Sequence, residues 1–492
     1  MTRPGYAFTL TSTPPARGFS TDTGAAFLAA TALIGRSDRA VLCHNLSDVV
    51  AAFGPRDTQS LLYDTADTMF RCGVVDLYIG RRVGPAAEPA TVTLKDGAAA
   101  DSVTVSSIGP GTSTLEVQPV AGTVANSIQL VITDTATGKV VETSPSALTV
   151  ADLVGWSQFK AKTVTVTAIG ADLPAAGAAV ALAGGDADNA NVTDATLADD
   201  LAALFPSQLG PGQVVVPGAT STAAHVAMAN HAQLTNRFAL WDGADSGDAT
   251  AQVTAVQAIQ TSPDIDELAE TYGMFWAPWR VVPGLTQLTT RTVPPSAVVA
   301  GLIAASDATT GNTNVPAAGA NGIDPVSLSS SQPEWTDAQR ETLNDGGVNV
   351  FHLVGDGTQR AYGWRTGAID DGTNDGSAAW LSAGAARLRM SIVNDLSILA
   401  ESYLFAQLDG QGQKVAAFGG AISGVLNRYW AAGALYGTTA DAAFSVDVGP
   451  TVNTPDTLAN NELHARIGIK VSPFAEMIYF DINKAALTAT TV

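Results

Sequence analysis

The spacing of apolar positions changes several times along the chain, and each change marks a different kind of element. Tyr6, Phe8 and Leu10 alternate with Ala7, Thr9 and Thr11, the pattern of a short half-buried strand. Ser12-Thr13-Pro14-Pro15-Ala16-Arg17-Gly18 follows, and it can neither prolong a strand nor open a helix. Residues 11–18 span at most about 25–28 Å, so the chain opens as a strand on a semi-rigid linker. Residues 24–35 read as a buried strand. Residues 48–53 read as a short helix with Ser47 as its N-cap and Gly54-Pro55 as its stop. Leu61, Leu62, Thr65, Met69 and Phe70 have helical spacing, and residues 74–79 form the next strand. Strand, helix, helix, strand predicts an α/β layer.

From Thr91 to Thr167 the text turns rich in Thr, Val and Ser with period-two pieces, as at 114–117, 128–132 and 163–166. This predicts a small all-β unit inserted into the α/β domain. The α/β rhythm then resumes, with helices at 194–205, 222–236 and 249–261 and strands at 213–218, 237–242 and 272–276. Strands alternating with helices of that length imply a mainly parallel sheet. From about residue 376 Leu381, Leu388, Ile392, Leu396, Leu399 and Tyr403 mark one amphipathic helix, and Val415, Phe418, Ile422, Val425 and Tyr429 a second. Phe444, Val446 and Val448 alternate, Leu463 to Val471 alternate more cleanly, and Ile478, Phe480 and Ile482 alternate last.

At 492 residues, 46% of them hydrophobic, the chain is long enough for several cores. Its net charge of −21 is unevenly placed: +1 over 1–95, −20 over 96–382 and −2 over 383–492. Nearly neutral ends flank an acidic middle, which reads as a solvated, soluble middle or, more sharply, as ends that pack against other protein while the middle faces water. A strongly acidic chain lacks the basic footprint of a nucleic-acid binder. Two cysteines make no disulfide framework and no zinc spacing. Pro4 and Gly5 come too early for a secretion signal, and no apolar run reaches the ~18–20 residues of a membrane span.

The candidate chemistry is sparse. No phosphate-binding glycine loop and no nucleophile elbow occurs. His225 and His231 are six residues apart and share a helix face poorly, so they make a weak ligand pair. Asp370, Asp371, Asn374 and Asp375 miss the spacing of a calcium loop and read as a turn. Asp264, Asp266, Glu267 and Glu270 read as a solvated helix start. Cys43 and His44 are adjacent on a strand and point to opposite faces, which argues against a nucleophile–base pair. No catalytic, cofactor-binding or metal role is assigned to any residue.

Several segments, in order, resemble the contractile tail sheath family of bacteriophages and related injection machines. They are Pro4-Gly5-Tyr6 with its Pro-rich linker; the apolar strand at 73–83 closing on Arg82-Val83; Val293-Pro294-Pro295-Ser296 running to Asp307; Leu343-Asn344-Asp345-Gly346-Gly347-Val348; Gly363-Trp364-Arg365-Thr366; and Phe474-Ala475-Glu476-Met477-Ile478. The resemblance implies a multidomain α/β chain whose middle domain is similar to a subtilisin-like fold without being a protease. It divides the chain into an N-terminal arm (1–20), an α/β sheath domain (21–90 and 168–375), the inserted β domain (91–167), a C-terminal α+β domain (376–475) and a final strand and tail (476–492). It further implies strands exchanged between subunits through Tyr6, Phe8 and Leu10 at one end and Ile478, Phe480 and Ile482 at the other. The implied partners are other copies in stacked helical rings, an inner tail tube, and baseplate and terminator proteins, with no nucleic acid, membrane or cofactor. The implied setting is a virion tail assembled in host cytoplasm, or the sheath of a non-viral injection system. An enzyme on a subtilisin-like scaffold and a non-contractile strand-exchanged shell are the competing readings.

Overall fold

The computed structural model describes residues 23–286, 288–368, 377–476 and 478–479. Strand β1 (Ala26–Thr31) is buried along almost its whole length, as an interior parallel strand covered on both faces must be. A three-residue strand β2 (Val41–Cys43) leads to α1 (Leu46–Phe53). The N-cap of α1 is Asn45, not Ser47, because the Asn45 side chain accepts from the Asp48 N–H at 3.0 Å. Helix α2 (Leu62–Cys72) and strand β3 (Leu77–Arg82) complete this first α/β segment.

The chain then leaves for the insertion. β4 (Pro89–Lys95), β5 (Asp101–Pro110), β6 (Leu115–Ala121), β7 (Ile128–Asp134) and β8 (Lys139–Thr143) precede helix α3 (Val150–Phe159), β9 (Val164–Ala168) and β10 (Val180–Ala181). They form a three-stranded sheet, β4-β5-β9, and a four-stranded one, β10-β6-β7-β8. The unit is therefore not all-β. α3 opens with a Thr149–Asp152 capping box and buries Leu153 and Trp156 in a core with Val103, Val105, Val117, Leu130 and Ile132. Entry and exit run side by side, with Glu88 N–H donating to Asp186 O at 2.7 Å and Gly84 N–H to Ala187 O at 3.1 Å. Buried Arg81 donates to the carbonyls of Ala32, Leu33, Gly35 and Pro110, which ties the end of β5 to the loop after β1. Four carbonyls stand in for a carboxylate, satisfying a buried guanidinium without a second buried charge.

Back in the α/β layer come α4 (Leu197–Leu204), β11 (Gln213–Val215), α5 (Thr222–Thr235), β12 (Phe238–Asp242), α6 (Ala249–Gln260) and β13 (Gly273–Ala277). β14 (Arg280–Pro283), β15 (Thr290–Val293) and β16 (Ser329–Ser330) form a small antiparallel sheet, with α7 (Pro295–Thr310) between β15 and β16 in the chain. α8 (Asp337–Asp345), β17 (Val348–Leu353), β18 (Gln359–Tyr362) and α9 (Ala383–Glu401) follow. The main sheet has eight strands in the order β18-β17-β13-β12-β11-β1-β3-β2. All pairings in it are parallel except those of its two edge strands, β2 and β18. α7 is apolar on nearly every side and correspondingly buried. Among the described residues no helix is long and apolar enough to cross a membrane.

The chain divides into two compact units, the second beginning at Ala406. This differs from the boundary at 376 drawn from sequence, because α9 is committed to the first unit. Its Arg389 lies over the rings of Tyr272 and Trp380, and its Arg387 pairs with Asp307 of α7. In the second unit α10 (Gln413–Ala431) packs on a two-stranded antiparallel sheet of β19 (Phe444–Asp447) and β20 (Arg466–Ile469).

Candidate assembly surface

The chemistry-bearing side chains of the α/β body are consumed by its own structure. His225 of α5 is buried and its Nε2 faces two carbonyls, Ala219 O at 2.9 Å and Asp242 O at 3.2 Å, so Nε2 carries the proton and donates. Asp242, at the end of β12, accepts from Gly218 N–H, Ser296 N–H and Ser296 Oγ at 2.9–3.0 Å. It thereby caps α7 and holds the loop after β11. Ser296 gives its proton to a carboxylate rather than to a histidine, and all three residues are shut off from solvent, which is the geometry of a structural tie. His231 is also buried, with its Nε2 3.3 Å from Arg237 Nη1. Arg237 donates in turn to the carbonyls of Phe205, Pro206 and Gly210 and lies over the Phe27 ring.

In an open parallel sheet a ligand crevice forms where the strand order reverses, here beyond the ends of β1 and β11. That place is filled. Ser60 Oγ donates to Thr31 O at 2.5 Å, and a Cβ on Gly218 would come 2.8 Å from Leu61 Cδ1. Cys43 is buried with its thiol pushed up to about 12, first by burial and then by Asp48, while His44 turns to Asp76 at 3.0 Å. Burial also pushes the Cys72 thiol well up. The carboxylate cluster at 264–270 starts no α-helix; it leads into a 3-10 turn, Ala269–Tyr272, and Asn230 and Gln233 of α5 donate to Asp264 O and Glu267 O. Asp370, Asp371, Asn374 and Asp375 lie outside the described residues. Among the described residues no group of three or more His, Cys, Asp or Glu could hold a metal ion.

These buried groups give the body a defined acid response. Burial lowers His225 to about 4 and, with Arg237 adding to it, lowers His231 to about 3, while burial raises Asp242 to about 7 against its three donors. The histidines' contribution is present in full above pH ~6.5 and is lost as pH falls toward 3–4, about 8 kcal/mol for the two. Asp242 runs the other way, its contribution lost as pH rises from ~3.8 through 7, about 4 kcal/mol. The histidines win, so the urea midpoint of the unassembled chain should fall between pH 7 and pH 4. A midpoint that is flat or rises on acidification contradicts this assignment.

The second unit presents a surface of a different kind. β19 and β20 pair Phe444 with Ile469 and Val446 with Ile467. Along 463–470 burial alternates residue by residue, with Leu463, Ala465, Ile467 and Ile469 half-buried and His464, Arg466, Gly468 and Lys470 exposed. None of the four paired apolar residues is fully buried, although α10 packs against β19. Val471 forms a single bridge to Leu435, and Asn453 braces the connection by donating to Val448 O and His464 O. Two strands are a marginal sheet on their own. Among the described residues no further strand joins either outer edge, and an outer edge is where a strand can be added.

Of the six residues expected to make inter-subunit strand contacts, Tyr6, Phe8, Leu10, Phe480 and Ile482 lie outside the described residues. Ile478 is 70% exposed and Tyr479 beside it 85%, and neither belongs to a strand. What the described residues display is the two-stranded β19–β20 sheet, not those strands.

Residues 186–366 match the family model described as the phage tail sheath protein central domain. No curated protein matches the sequence. A sheath tail protein of Listeria innocua has a similar fold at 12% identity, with a TM-score of 0.62 over 88% of this chain and 90% of that one. A chain of the anti-feeding prophage baseplate is similar at 16% identity, TM-score 0.58, over 99% of this chain and 100% of its own. A chain of the anti-feeding prophage helical sheath in the contracted state is similar at 15% identity, TM-score 0.55, over 99% and 100%. The resemblance read from the sequence is borne out: residues 186–366 are similar to the tail sheath central domain, within a mixed α/β multidomain fold similar to those of sheath proteins.

Proposed function

We propose that this chain is the structural subunit of a contractile phage tail sheath. In this reading it polymerises in stacked rings around an inner tube, contacts baseplate and terminator proteins, and contracts from a metastable extended packing to a compact one, driving the tube through an envelope. The observation that carries the reading is the family match over 186–366, which falls on the parallel sheet from β11 to β17 and on α7. The open-edged β19–β20 sheet supports it, because a contact that does not close on itself builds a helical filament and an exposed edge is where a strand is added. The middle body is then the subtilisin-like domain, with the Asp242–Ser296–His225 tie in place of catalysis. The sheath of a non-viral injection system uses the same physics and differs in its setting.

Negative-stain microscopy of the protein, alone and with a tube template, tests the reading. Hollow ridged tubes in two lattice lengths are expected. Tubes of one invariant lattice would point to a non-contractile shell, and no tubes under either condition would end the assembly reading.

A further inference from the structure

We propose that Asp307 and Gln213 are positioning residues for the inter-subunit arm: they clamp Thr23, where residues 1–22 join the body, and so direct load on the arm into β1. The inference rests on the arm reading above.

Thr23 Oγ1 donates to Asp307 Oδ2 at 2.6 Å. Gln213 Nε2 donates to Thr23 O at 2.5 Å, so the residue is held through side chain and backbone alike. Asp307 belongs to α7, its side chain is 8% exposed, and the same Oδ2 accepts from Arg387 of α9. Its Oδ1 has no hydrogen-bond partner. A single carboxylate oxygen thus joins the root of the arm to two helices. Gln213 opens β11, the neighbour of β1, and its backbone N–H donates to Ala25 O at 2.9 Å. Immediately after the clamp, Ala26 comes into register with Gln213 on one side and Leu77 on the other. The joint is tight: the cavity beside it, lined by Thr23, Gln213, Asn236 and Arg387 among others, is about 20 Å³, space for about one water.

The consequence is mechanical. β1 is an interior strand, paired over six residues with β3 and over three with β11. A pull along its axis loads those bonds side by side, whereas a pull at an angle peels them one at a time. Fixing Thr23 to α7, α9 and β11 keeps the pull on axis. Without the Thr23 hydroxyl, Asp307 keeps Arg387, but the chain ahead of β1 loses its side-chain hold.

Thr23→Val removes the O–H donor at nearly constant size, and Thr23→Ser restores it. Hydrogen–deuterium exchange over residues 23–28 of the unassembled full chain, thermal melting, and tube length with template read the effect. For Thr23→Val we expect exchange at least about tenfold faster, a thermal midpoint within about 2 °C of the parent, and tubes less than about half the parental length. Thr23→Ser should behave as the parent, and Gln213→Met should repeat the faster exchange through the other bond. Exchange unchanged in both Thr23→Val and Gln213→Met overturns the clamp. Faster exchange with tubes of parental length overturns its positioning role. Faster exchange from a parent that forms no tubes keeps the clamp and ends the assembly reading instead.

Discussion

Removing residues 1–18 is expected to abolish tubes altogether while leaving a folded, soluble chain. The body is expected to close its sheet without those residues, because β1 starts at Ala26 and, among the described residues, its anchors begin at Thr23. The proposed loss is of a strand carrying Tyr6, Phe8 and Leu10 to the open edge of a neighbour's β19–β20 sheet. Burying three such side chains is worth about 1.5–3 kcal/mol each, and each backbone bond adds about 0.5–1.5 kcal/mol. One link is thus modest once its ordering cost is subtracted, but a lattice in which every subunit gives and receives one multiplies it. The β19–β20 sheet, with its half-buried Phe444, Val446, Ile467 and Ile469, would lose its proposed third strand at the same time. Electron microscopy and sedimentation of the truncated chain beside the parent read the outcome. Tubes of normal length from the truncated chain would refute the arm, and a truncated chain that sediments as aggregate would mean the arm serves its own fold. A triple Asp substitution at positions 6, 8 and 10 keeps the chain length and should give the same loss.

Much of the parallel sheet was legible, because β1, β11, β12 and β13 are short apolar runs separated by helical spacing. The alternation of β20 gave its two faces residue by residue. What stayed hidden was set by contacts distant in sequence. Asn45 outcompetes Ser47 as the cap through a bond that spacing does not select between. α3 was absorbed into a β reading because Val-Ala-Asp-Leu-Val-Gly-Trp-Ser-Gln-Phe is apolar without a clear helical stripe, and its core partners are strands on both sides of it in sequence. α7 was assigned no element for the same reason: a helix buried all round has no amphipathic signature. The buried arginines were equally silent, since Arg81 and Arg237 are satisfied by carbonyls that carry no side-chain signal. The assembly surface was half legible. The alternation of β20 showed, but nothing in the pattern located Thr23 between Asp307 and Gln213.

Gly301 shows how far a local reading can miss, and the second large effect is expected there. Within a helix, Gly→Ala normally stabilises by about 1 kcal/mol. At Gly301 of α7, however, a Cβ would lie 2.1 Å from Cys72 Cβ and 2.8 Å from Cys72 C on α2. Across the same crossing, a Cβ on Gly73 would meet Gly301 O at 3.1 Å. The obstruction at Gly301 is largely backbone, so no change of rotamer relieves it and the two helices must separate. Overpacking of this kind costs about 1–3 kcal/mol and more when the backbone has to move. Gly301→Ala should therefore be destabilised by about 2 kcal/mol, and Gly301→Val by about 4 kcal/mol, enough to leave much of the chain insoluble. Gly420 on α10 is the control, since nothing lies within 4 Å of its Cβ direction. Gly420→Ala should be neutral or more stable by up to about 1 kcal/mol. Urea unfolding of the unassembled chains decides between propensity and packing. Opposite signs at the two sites place the α2–α7 crossing at backbone contact, whereas a stabilised Gly301→Ala would show that the helices have room to spare.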